Sequence, residues 1–141
     1  MNTISDQAKA KGTGKWTSQA AMDLNLPIPT IDISVSMRDL SHYKELRVKA
    51  SKMYPNSENL QYYDKGEDYI DLLEEAFYFS MVSAYAQGMH LLYKANEEFT
   101  YDLNLDVIAK IWRGGCIIRS AFLEDIFAAY KKVSRTNLIN V

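Results

Sequence analysis

The residues best suited to chemistry stand close together near the start of the chain, in the stretch 9–17, "KAKGTGKWT". Gly12 and Gly14 let the backbone come close to a ligand. Free N–H groups at the start of a following helix point toward an anion. Lys11 and Lys15 add positive charge, and Thr13 adds a hydroxyl donor. This is the chemistry of holding a phosphate or a carboxylate. Two nucleotide loops are nevertheless excluded. A Walker A loop, G-x-x-x-x-G-K-[ST], needs a glycine where Lys9 stands and a hydroxyl residue where Trp16 stands. The dinucleotide pattern G-x-G-x-x-G fails at Thr17, and no strand precedes it. The same residues also suit a solvated glycine turn ahead of a helix, and their types alone leave both readings open.

Other candidates are weaker. Arg38 lies between Met37 and Leu40 in an apolar-rich segment. It either pairs with Asp39 or a nearby carboxylate, or presents its two-pronged guanidinium to a phosphate or carboxylate. The segment "WRGGCIIRS" (112–120) carries Arg113, Cys116 and Arg119, with the lone cysteine in a hydrophobic stripe where it reads as a small core residue. His42 and His90 have no partner at metal-ligand spacing, so no metal site is expected. Glu74-Glu75 and Glu97-Glu98 read as solvated helix faces.

These side chains need helices to position them. Apolar residues from Trp16 to Leu26 lie near helical spacing, which predicts a helix over about 15–25 with Thr13 or Gly14 at its N-cap. Pro27 stops it, and Pro29 suits the first turn of a second helix over about 29–52, with a local irregularity at Ser41. "TIDISV" (30–35) has strand-like β-branching, but no second alternating segment exists to pair with it. A long loop follows at 54–66. From 67 to 96 apolar residues cover most faces, which predicts a central buried helix, with Gly88 admitting a close neighbour. A further stripe from Leu105 to Cys116 should break at Gly114-Gly115, and a last one from Ile118 should end near Lys132. The fold class is all-α, with about five helices.

Composition narrows the function. The chain has 141 residues, the size of a single domain, 1–141. A net charge of -2 gives no global attraction to nucleic acid or anionic membrane. No apolar run approaches the ~20 residues of a membrane span, and residues 1–10 lack the apolar core of a secretory signal. The single cysteine fits a reducing compartment, so a cytoplasmic setting is expected.

Taken together and in order, "KGTGKWT" (11–17), "SMRDLS" (36–41), "SAYAQGM" (83–89) and "WRGGCIIRSAFL" (112–123) resemble the decarboxylating 6-phosphogluconate dehydrogenases. The resemblance covers about residues 5–132. It implies the later part of that family's helical C-terminal domain, with the Rossmann domain, the catalytic lysine and glutamate, and the C-terminal tail all outside the chain. It also implies NADP as the enzyme's cofactor, 6-phosphogluconate as substrate, ribulose 5-phosphate and carbon dioxide as products, and a homodimer. By motif and spacing it makes Lys11, Thr13 and Arg38 substrate-binding residues, with Arg38 on the phosphate. It implies no catalytic residue in this chain, and hence no activity of the chain alone. Helical self-association without enzymatic activity is the alternative.

Overall fold

The computed structural model describes residues 5–54 and 66–132. Six helices follow one another: α1 (Thr13–Asp23), α2 (Pro29–Ser41), α3 (Lys44–Met53), α4 (Gly66–Phe99), α5 (Leu105–Arg113) and α6 (Leu123–Lys132). No strand occurs among the described residues. The long loop expected at 54–66 lies almost wholly outside them, as do residues 133–141.

The first helix starts two residues earlier than its apolar pattern implies. Gly12, not Thr13 or Gly14, is its N-cap, with φ 95°, a left-handed value that favours glycine. At the other end Asn25 takes φ 52°. The Asn25 N–H bonds the Met22 carbonyl at 3.0 Å, and the Leu26 N–H bonds the Ala21 carbonyl at 2.9 Å. This paired closure reverses the chain just before Pro27 and brings Leu26 onto buried Ala21.

The single helix expected over 29–52 is two helices. Ser41 ends α2 because its hydroxyl donates to the Arg38 carbonyl at 2.6 Å, competing with the helical ladder. The His42 and Tyr43 N–H groups then bond only three residues back, to Asp39 and Leu40. At its start α2 has no cap of its own. Gln87 of α4 supplies one. Its Oε1 accepts from the Thr30 N–H at 3.0 Å and the Ile31 N–H at 3.3 Å, and its Nε2 donates to Thr30 Oγ1 at 3.0 Å.

Two small cores sit on α4. Ala21, Leu26, Ile28 and Leu91 join α1 and α2 to it. Met89, Leu105, Ala109, Leu123, Ile126 and Tyr130 join the α5–α6 hairpin to it. Between α5 and α6, the expected break at Gly114-Gly115 extends through turns to residue 122. Tyr85 of α4 ties that stretch down, its hydroxyl donating to the Ile118 carbonyl and lying 2.9 Å from the Ser120 hydroxyl.

The expected burial of α4 is corrected. Only its later half is covered, and residues 68–80 are exposed throughout, Phe77 by 70% and Phe79 by 72%. The apolar pattern is real, but α1, α2 and α5 all engage α4 beyond it. Gly88 likewise meets no close neighbour. A Cβ there would have nothing within 4 Å, and the residue lines an open groove with Ile31, Met81, Leu92 and Trp112.

The cap across the fold is testable. Gln87→Ala leaves the Thr30 N–H of α2 without its acceptor, the Ile31 N–H keeping the Ile28 carbonyl at 3.0 Å, and should lower stability by about 1 kcal/mol. Urea unfolding measures it, and an unchanged midpoint would contradict the role given to Gln87.

Candidate functional site

The start of α1 and the middle of α2 are forced together at Gly14. A Cβ at that position would lie 2.9 Å from the Val35 Cγ2 methyl, closer than side chains tolerate. Gly12, two residues earlier, supplies the left-handed corner, and Trp16 folds back over it, with its Cζ2 3.5 Å from where a Gly12 Cβ would stand. Both glycines of the loop are therefore used for geometry. The first turn of α1 keeps its N–H groups free of any side-chain cap.

The chain ahead of the loop is fastened to the far end of α2. The Ala8 N–H donates to Ser41 Oγ at 2.9 Å. Asp6 binds Lys44 Nζ at 2.8 Å and Arg47 Nη2 at 3.1 Å. The segment 8–14 thus runs along α2 from Ser41 to Val35. Arg38 lies between those two fixed points in sequence, three residues from each. Lys9 to Thr13 joins the two points of α2 that flank Arg38.

All three sequence-predicted residues are exposed at this crossing: Lys11 in the strap, Thr13 at the first position of α1, and Arg38 on α2. The pairing of Arg38 with Asp39 is not observed. Among the described residues the Arg38 side chain forms neither an ion pair nor a hydrogen bond. Its backbone carbonyl alone is used, by Ser41. A free guanidinium, a lysine, a hydroxyl and uncapped helical N–H groups on one surface can bind and orient an anion.

The remaining candidates do not join this site. Arg113 pairs with Glu124, and Arg119 and Ser120 lie beside that pair around a shallow depression. Cys116 is half-buried in the turns after α5. His42 is exposed at the α2–α3 corner. His90 is half-buried on α4, and burial, helped by the positive charge of Lys94, pushes its pKa below the ordinary histidine value. Glu97 is more than a solvated face. It holds Lys94 at 3.1 Å and the Tyr93 hydroxyl at 3.0 Å, and these bonds lower its pKa. Among the described residues, no group of three His, Cys, Asp or Glu side chains could hold a metal ion.

Sequence reasoning missed Asp6, Ser41, Arg47 and Gln87 as organising residues. Ser41 alone carried a local signal, as the irregularity in α2. The Asp6–Arg47 and Gln87–Thr30 bonds span 41 and 57 residues, where periodicity carries no information.

The whole chain, residues 1–141, matches the family described as 6-phosphogluconate dehydrogenase, C-terminal domain. The chain belongs to that family. It is 47% identical over 134 residues to the decarboxylating 6-phosphogluconate dehydrogenase of Lactococcus lactis subsp. cremoris, covering 95% of this chain and 28% of that protein. It is 45% identical over 132 residues to the NADP(+)-dependent decarboxylating enzyme of Bacillus subtilis, covering 94% and 28%. Its fold is similar, with a TM-score of 0.84 and 40% identity, to Plasmodium falciparum 6-phosphogluconate dehydrogenase, covering 98% of this chain and 30% of that one. That enzyme has been solved in its apo form, with its cofactor NADP+, and with its substrate 6-phosphogluconate. The chain thus spans under a third of the length of these relatives. The family assignment agrees with the four motifs and with the all-α architecture. No described helix is long and apolar enough to cross a membrane.

The fastening of the strap depends on pH. The hydrogen bond from Lys44, with a further one from Arg47, holds the Asp6 carboxyl below its ordinary value of 3.8. A depressed carboxylate contributes stability that is fully present above the unfolded value and is lost as pH falls through the lower folded value. Acid unfolding followed by Trp16 fluorescence should show this loss below about pH 4, and Asp6→Asn should remove that part of the profile. An identical acid limb in the variant would contradict it.

Proposed function

We propose that residues 1–141 are one all-α, substrate-binding and subunit-contact unit of a decarboxylating 6-phosphogluconate dehydrogenase. The reaction is NADP-dependent oxidation of 6-phospho-D-gluconate to ribulose 5-phosphate and carbon dioxide, in the cytoplasm. One observation carries the reading: Arg38, exposed on α2 with no side-chain partner among the described residues, stands between Ser41 and Val35, where the two ends of segment 8–14 are fixed, in a chain whose whole length matches the family. Arg38 holds the substrate phosphate through its planar fork. Lys11 and Thr13 donate to the phosphate or to neighbouring sugar hydroxyls.

These groups bind and orient. An arginine guanidinium does not give up its proton in proteins, so proton transfer falls to residues outside this set. NADP does not fit here, because the loop lacks the dinucleotide pattern and the described residues contain no strand. On this reading the cofactor and the acid–base groups lie in the further length that the relatives possess. The 141-residue chain alone therefore has no NADP-dependent turnover of 6-phosphogluconate. Sustained NADPH production by the purified chain would overturn this. Calorimetric titration should show weak, saturable binding of 6-phosphogluconate, near millimolar, and Arg38→Ala should weaken it by about tenfold or more. Equal binding by the variant would contradict the assignment of Arg38.

The dimeric part of the proposal rests on α4. Ile70, Leu72, Leu73, Phe77 and Phe79 are each more than half exposed, on several sides of one helix. Such a surface favours self-association. Sedimentation over a range of concentrations should show a dimer or larger species, and a monomer at every concentration would count against it.

A further inference from the structure

We propose that Asp6, Ser41 and Arg47 are positioning residues for the anion pocket, forming a clamp that holds the Lys9–Thr13 strap over Arg38. The proposal rests on the pocket reading above and adds to it the means by which the pocket is held.

The clamp is a connected set of bonds. The Arg47 guanidinium comes from the first turn of α3 and reaches back across the α2–α3 corner. Its Nη2 lies 3.0 Å from the Ser41 carbonyl, 3.1 Å from Asp6 Oδ2 and 3.4 Å from the Asp6 carbonyl. One nitrogen thereby links the end of α2 to the strap's backbone and to its side chain. Lys44 holds the second Asp6 oxygen at 2.8 Å, so the carboxylate is gripped at both oxygens by two residues of one helix turn. The Ser41 hydroxyl completes the set. It accepts from the Ala8 N–H at 2.9 Å and donates to the Arg38 carbonyl at 2.6 Å. That hydroxyl is a one-atom bridge between the strap and the residue proposed to hold the phosphate.

The arrangement matters because the strap has little else to hold it. Residues 5–11 are exposed and belong to no helix. An exposed ion pair is individually weak. Here, however, the pairs share partners and close a loop whose other end is pinned where Gly14 meets Val35. With both ends fixed, Lys11 and Thr13 have few positions open to them. Without the clamp, the strap swings about Gly12, and binding must meet the entropic cost of ordering it. The break between α2 and α3 acquires a purpose as well. A continuous helix would carry Lys44 and Arg47 straight on, whereas the corner at His42-Tyr43 turns them onto Asp6.

The test uses the 141-residue chain with Asp6→Asn, Asp6→Glu and Ser41→Ala. Two quantities are read by NMR: exchange of the Ala8 amide, and the dissociation constant for 6-phosphogluconate. Asp6→Asn should speed Ala8 exchange about tenfold while leaving the α6 amides unchanged. It should also weaken 6-phosphogluconate binding by about threefold or more. Asp6→Glu, which keeps the charge, should restore most of both. Ser41→Ala should behave as Asp6→Asn does. Ala8 exchange that ignores Asp6→Asn overturns the clamp. So does equal affinity of the Asp6→Asn and parent chains. A parent chain with no saturable response overturns the pocket reading itself, and the clamp's role falls with it.

Discussion

The architecture of the site turns on one steric constraint, the contact between Gly14 and Val35. Nothing larger than a hydrogen fits between the first turn of α1 and the middle of α2. Because the helices meet there, the chain entering α1 must lie along α2. Because it lies along α2, its lysine and threonine share a surface with Arg38. The left-handed Gly12 makes the final corner, and the Schellman closure at Asn25 returns the chain to start α2. The proposed anion site draws its groups from two short helices and a strap, all within the first 54 residues.

Those elements are themselves held by α4. Gln87 caps α2, and Leu91 packs under Ala21 and Ile28. On its other side α4 carries the α5–α6 hairpin through Met89. The later half of α4 is thus a spine with a small core on each flank. Its earlier half extends the same helix, about 50 Å long in all, into a region that the described residues do not cover. Both halves are rich in apolar residues, but the buried clusters among the described residues lie against the later one.

Much of the architecture was legible in the sequence, and the failures share a physical cause. Helix punctuation is local, so Pro27, Pro29 and Gly114-Gly115 marked their breaks correctly. The loop's glycines were legible because a tight corner and a close helix approach both select glycine locally. The split of α2 from α3 was only half visible. Ser41 signalled an irregularity, but the i→i−3 bonds that turn the chain leave no periodic trace. The burial of α4 was misjudged because an apolar pattern states that a face needs cover, not that this chain supplies it. Gly88 misled for the same reason. The Gln87 cap and the Asp6 pairings were invisible, since each joins residues far apart along the chain. Without such contacts, the two readings of Arg38 could not be separated. The structure bears on only one of them, leaving the guanidinium without a carboxylate among the described residues.

The central claim is that the crossing of the strap over α2 is where the substrate's phosphate binds. Mapping amide shifts across the 141-residue chain during titration with 6-phosphogluconate tests it most directly. The account predicts concerted, saturable shifts at Gly12, Thr13, Gly14 and Arg38, with α5 and α6 unmoved. Shifts centred instead on Arg113 and Arg119, with the strap silent, would contradict it.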